Sequence, residues 1–112
     1  MVKELVSSRA DVNLKDDDGK KPLTTSCFEG HITVVEELVR EGANVNLRTR
    51  DGNSPLISAC FGGHPSIVEK LIHSGADINM MNNRGDVPLV TACFKGYLDV
   101  VKKLVKAGAH VN

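Results

Sequence analysis

Tryptophan is absent from the 112 residues, and three phenylalanines and one tyrosine make up the whole aromatic content. With so few large rings at this length, the chain fits one small domain with a limited interior. An excess of either charge is missing too. The 14 lysines and arginines balance the 14 aspartates and glutamates. That argues against a general binder of nucleic acid or of anionic membranes, because both usually need a basic excess or stripe. No apolar run approaches the roughly 18 residues of a membrane span, so no membrane insertion is expected. The first residues, MVKELVSSRAD, lack the apolar stretch of a secretory signal, and no N-x-S/T acceptor occurs. Cysteine is sparse and odd in number, at three, which fits a reducing compartment, cytoplasmic or nuclear, better than an oxidising one.

What the chain does contain is a period. Shifted against itself by 33 residues, the sequence brings Gly19, Gly52 and Gly85 into register, then Pro22, Pro55 and Pro88, then Leu23, Leu56 and Leu89. Cys27, Cys60 and Cys93 align likewise, with Phe28, Phe61 and Phe94 beside them and Gly30, Gly63 and Gly96 just beyond. Val35, Leu38, Gly42, Ala43 and Asn46 recur in the same way, making eleven positions identical in all three units. A period of this length marks an array in which each unit stacks on its neighbours. The full units are 14–46, 47–79 and 80–112, and residues 1–13 match only the last part of a unit. One domain built from a partial repeat and three repeats is therefore expected. The tail starts inside a second helix and no polar capping repeat follows the last unit, so the chain reads as a slice of a longer array. Weak head-to-tail self-association is expected through its uncapped ends.

Local structure follows from the repeated residues. Pro22, Pro55 and Pro88 suit the first position of a helix, where the missing N–H costs nothing. A short helix then runs to about the next glycine. In the second helix, Val35, Leu38 and Val39, or Val68, Leu71 and Ile72, fall on one face at helical spacing, which predicts core. Gly42, Gly75 and Gly108 stand where a helix ends in a left-handed residue. The links carry Asn-Val-Asn or Asp-Ile-Asn and then Asp-Gly or Arg-Gly, which is turn chemistry and predicts protruding hairpin loops.

The stretch DGNSPLISACFGGHPSIVEKLIHSGADIN resembles the ankyrin repeat, a 33-residue unit with T-P-L-H-x-A, G-H and a V-x-x-L-L helix leading to G-A-D-V-N. The likeness extends over all 112 residues. It implies an all-α fold, an ankyrin-repeat solenoid of stacked helix-turn-helix units with protruding hairpin loops. It further implies a concave face made of first helices and hairpin tips, and binding of other proteins. Departures are visible. The family's Thr before Pro is Lys21, Ser54 and Val87 here, and its His after Leu is Thr24, Ile57 and Val90. Ser54 can cap its helix, whereas Lys21 and Val87 cannot, at about 0.5–2 kcal/mol each. Arg9 stands where the other units have the helix-ending glycine, so a rebuilt or strained turn is expected there.

Several residues invite a chemical reading. Equivalent residues in adjacent repeats lie roughly 8–10 Å apart, beyond the roughly 7 Å limit between Cα atoms for a disulfide. The three cysteines take the place of the family's small inner-helix residue, and buried packing is expected for them. His31 and His64 occupy the family's G-H position, but Tyr97 replaces them in the last unit. His73 and His110 belong to no metal-binding pattern, and Asp16, Asp17 and Asp18 lack the spacing of a calcium loop. No metal, cofactor or catalytic residue is expected, since the three thiols and Ser58 have no activating partner in the sequence. The resemblance also implies that hairpin asparagines such as Asn46 and Asn79 can be substrates of an asparaginyl hydroxylase.

A non-enzymatic protein-interaction module is the first reading of function, its partner being a protein or peptide. In the family pattern the Phe28, Phe61 and Phe94 position faces the concave groove, and three rings in a row would serve as anchors, unless each packs across to the next inner helix. With them, Glu29 and Lys95 and the hairpin residues Lys15, Asp17, Lys20, Arg48, Arg50, Asn53, Met81, Asn83 and Asp86 are the candidate contacts. Charge varies along the array. Unit 14–46 has four basic and seven acidic residues, unit 47–79 three of each, and unit 80–112 five and two. This progression from minus 3 to plus 3 would favour one binding direction. Two alternatives stand beside this reading. One is a structural or spring-like segment of a larger protein; the other is an engineered scaffold, against which the variation at Lys21, Ser54 and Val87 speaks.

Overall fold

The computed structural model describes residues 22–109. Those residues form six helices, α1 (Pro22–Glu29), α2 (Ile32–Arg40), α3 (Pro55–Gly62), α4 (Pro65–His73), α5 (Pro88–Lys95) and α6 (Leu98–Lys106), with no strand among them. They make three antiparallel helix pairs, with α1, α3 and α5 in one layer and α2, α4 and α6 in the other. The fold is the all-α helical-repeat solenoid that the 33-residue period predicts. The partial repeat with Arg9, the aspartates 16–18, Lys15, Lys20, Lys21 and His110 lie outside the described residues.

Helix starts follow their local chemistry. Pro55 and Pro88 open α3 and α5 after residues in extended conformation, Ser54 and Val87. The Ser54 hydroxyl accepts the Ile57 N–H at 3.2 Å, and Val87 offers no such bond. The backbone path is nevertheless the same at both, with ψ at 164 in each. Each precedes a proline, whose ring disfavours the helical region for the residue before it, so the proline sets the turn and the cap adds to it.

The core is a ladder of equivalent residues. Leu38, Leu71 and Leu104 are 2%, 0% and 0% exposed, each in the same place on its outer helix. Leu23, Leu56 and Leu89 form the matching rung on the inner helices. Truncating any one of these buried leucines removes about 2–5 kcal/mol. The predicted outer-helix face needs a correction at its edge. Val35 and Val68 are fully buried as expected, but Val39 and Ile72 are only half-buried, while Ile67 joins Val68 in the core and Val100 is buried in α6.

Hairpin loops join successive pairs. In the first, the Thr49 N–H donates to Asn53 O at 3.0 Å; in the second, the Asn82 N–H donates to Asp86 O at 2.9 Å. Adjacent hairpins are bonded to each other. The Asn83 N–H donates to Asp51 O (3.1 Å) and its amide to Arg50 O (3.0 Å). Asn82 is buried, and its amide donates to Asn53 Oδ1 at 3.0 Å while its own Oδ1 accepts the Arg84 and Asp86 N–H groups. Nearer the helices, Asn46 reaches the next unit twice, donating to Gly75 O (3.2 Å) and accepting the Asp77 N–H (2.7 Å).

The cysteines divide. Cys27 and Cys60 are fully buried and unbridged, as expected, but Cys93 is exposed. It sits on the face of its helix that the next pair covers in the first two cases, and no pair lies over α5 among the described residues. The same open face exposes Val90, Phe94 and Val105, whose counterparts Ile57, Phe61 and Ile72 are more covered.

Candidate functional site

A groove of about 680 Å³ runs between the inner helices and the first described hairpin. α1 contributes Thr24, Thr25, Phe28 and Glu29, and α3 contributes Ser58 and Phe61. The opposite wall is Thr49, Arg50, Asp51 and Asn53, with Lys95 reaching in from α5. Hairpin bonding holds that wall in place, since the carbonyls of Arg50 and Asp51 are tied to Asn83. Their side chains are thereby left to face the groove.

The three phenylalanines are not equivalent. Phe28 is 51% exposed at one side of the groove, and Phe61 is half-buried at its centre. The Lys95 ammonium stands over the Phe61 ring, 5.9 Å from its centroid, within the range of a cation–π attraction. Phe94 is 88% exposed and lies outside the groove. Of the other candidate contacts, Glu29, Lys95, Arg50 and Asn53 line the groove, and Arg48 and the exposed Met81 do not. Asn83 is occupied in joining the hairpins, and Asp86 is paired with Arg84 at 3.6 Å. Lys15, Asp17 and Lys20 fall outside the described residues. Thr25, Thr49 and Asp51 belong to the groove without having been singled out in the sequence, and Thr24 and Ser58, noted there for other reasons, were not among the expected contacts. The available signal was their place in the unit, on an inner helix or beside a hairpin tip, and not their identity, since Thr24 aligns with Ile57 and Val90 and Thr49 with Asn82.

His64 has a role that the sequence concealed. Its Nε2 donates to the Phe28 carbonyl of the preceding unit at 2.9 Å, so the proton resides on that nitrogen. The ring lies against Gly30, and a Cβ on Gly30 would collide with it. Tyr97 repeats the arrangement one unit on, its ring 2.9 Å from where a Gly63 Cβ would stand. Both glycines have positive φ, 86° and 72°, in the left-handed region that closes the inner helix. A planar ring over a bare glycine is therefore what the position requires, and tyrosine satisfies it as histidine does. Gly62 makes a second close approach, since a Cβ there would strike the Phe28 carbonyl oxygen.

Burial pushes the Cys60 thiol up to about 12 and the Cys27 thiol higher still, because a thiolate would be stripped of water. The thiolate, which is the reactive form, is thereby disfavoured in both. Among the described residues, no three His, Cys, Asp or Glu side chains are grouped to hold a metal ion. The groove thus offers two rings, hydroxyls, an amide and four charged groups, Glu29, Arg50, Asp51 and Lys95. Such a surface can hold a chain segment by apolar contact, hydrogen bonds and charge.

Family models agree with this architecture. A model for ankyrin repeats in three copies matches residues 1–82, and a model for a single ankyrin repeat matches residues 84–112. A comparison with curated proteins returns no significant match.

Proposed function

The chain belongs to the ankyrin-repeat family, whose repeats are generally protein–protein interaction modules and typically non-catalytic, and from this we propose that it binds a partner protein or peptide in the groove between inner helices and hairpins. The observation that carries the proposal is the pair of accessible rings, Phe28 and Phe61, lining one groove opposite a polar wall. Aromatic anchors surrounded by hydrogen-bonding groups are where binding energy concentrates in protein interfaces. Phe94 makes no part of this groove, so the anchor set is narrower than the three-ring row.

Replacing Phe28 and Phe61 together by Ala tests the proposal, with Glu36→Ala on the outer layer as a control. Circular dichroism reports the fold and pull-down from lysate reports capture. The expected outcome is a folded F28A/F61A chain that loses partners which wild type and E36A both retain. Unchanged capture by the folded double variant would refute the groove.

A further inference from the structure

The last residues of the three inner helices before their closing turns are Glu29, Gly62 and Lys95, equivalent positions one period apart. In order they carry a negative charge, no side chain and a positive charge. Glu29 and Lys95 line the same groove, with the Phe61 ring between them. Among the described residues neither is in an ion pair, the pairs there being Arg40–Glu37, Arg84–Asp86 and Lys103–Glu69. Arg50 and Asp51 on the facing wall add one charge of each sign and leave the net charge of the groove unaltered. The whole units have the same polarity, from minus 3 through zero to plus 3.

We propose that the groove takes an extended segment of a partner protein in which an apolar side chain stands between a basic and an acidic one, and that it holds the segment in a single direction. The basic group lies by Glu29, the apolar group against Phe28 and Phe61, and the acidic group by Lys95. This rests on the groove being the partner site. Inner helices spaced roughly 8–10 Å apart put the ends of the row roughly 16–20 Å apart. Lys95 reaches back over Phe61 and shortens that span, so the two charges on an extended partner fall roughly three to five residues apart at about 3.3 Å per residue. Reversing the segment would place like charges together at both ends, and that repulsion selects the direction.

The test is a phage-displayed library of random 12-residue peptides panned on the intact chain and on an E29K/K95E variant. Both substituted side chains are exposed, and circular dichroism checks that the fold survives. Wild type should enrich peptides with an apolar residue flanked by opposite charges in one order, and E29K/K95E should enrich the reverse order. A wild-type-selected peptide should lose about tenfold in affinity or more on the charge-swapped chain. Synthetic copies are then measured on F28A/F61A. Enriched peptides without charge order, or with the same order on both chains, yet lost on F28A/F61A, overturn the polarity and leave the groove standing. Peptides that bind F28A/F61A as well as wild type, or no enrichment at all, overturn both.

Discussion

Replacing His64 by Ala removes a link between the first two described repeats without touching the leucine core. Two contributions are lost. The hydrogen bond from Nε2 to the Phe28 carbonyl is partly open to water, which can take over the carbonyl, so it counts for about 0.5–1 kcal/mol. The ring covers Gly30 and is itself only partly exposed. Withdrawing roughly 50 Å² of ring surface from this contact costs about 1.2 kcal/mol at about 25 cal/mol per Å². Together H64A should destabilise the chain by about 2 kcal/mol, read as a lower urea midpoint at unchanged slope in circular dichroism. His64→Phe separates the contributions, since it keeps a ring over Gly30 and drops the donor. It should lose only the hydrogen-bond share, about 0.5–1 kcal/mol. An H64A midpoint equal to wild type, or H64F as damaged as H64A, would refute the ring-over-glycine account.

Gly62→Ala forces a Cβ against the Phe28 carbonyl oxygen, so α1 and α3 must separate; a loss of about 1–3 kcal/mol is expected, and an unchanged urea midpoint would contradict the close approach. Thiol titration with a chromogenic disulfide at neutral pH should show one fast group, exposed Cys93, and two that react only as the chain unfolds, because burial raises Cys27 and Cys60; Cys93→Ser should abolish the fast phase. Lys103 donates to Glu69 at 2.8 Å across the outer layer, and that bond with the adjacent charge holds the Glu69 carboxyl below its ordinary 4.5. A lowered folded pKa means stability that is present above the ordinary value and lost as pH falls through the folded one. Lys103→Met should therefore unfold at lower urea than wild type near neutrality, with the gap closing in acid and shrinking in high salt; a gap independent of pH would contradict the pair.

The parts of this fold that were legible in the sequence are those a single unit encodes. Proline at the helix start, the Ser54 cap, the glycine ends and the buried Leu38, Leu71 and Leu104 all follow from local chemistry and helical spacing. What escaped depended on the neighbouring unit. His64 looked like a turn residue because its partner, the Phe28 carbonyl, lies 36 residues away. Asn83 looked like a partner contact, and Asn82 drew no notice, because their acceptors belong to the previous hairpin. Cys93 and Cys60 have the same place in the period but not the same cover, which no pattern within a unit can express. Val39 and Ile72 share the helical spacing of the buried Val35, Leu38, Val68 and Leu71 but lie at the edge of the covered face, because the packing of neighbouring helices, and not periodicity alone, decides how wide that face is. The groove was half legible. Phe28, Phe61, Glu29, Lys95, Arg50 and Asn53 came from their places in the unit, while Thr24, Thr25, Ser58, Thr49 and Asp51 needed the helices and hairpin in position.

Amide hydrogen exchange of the chain with and without a peptide selected from the library tests the central claim most directly. Slowed exchange confined to the first described hairpin at 49–53 and to the ends of α1 and α3, with α2, α4 and α6 unchanged, is the predicted footprint. Protection centred on the outer helices, with 49–53 exchanging as in the free chain, would contradict it.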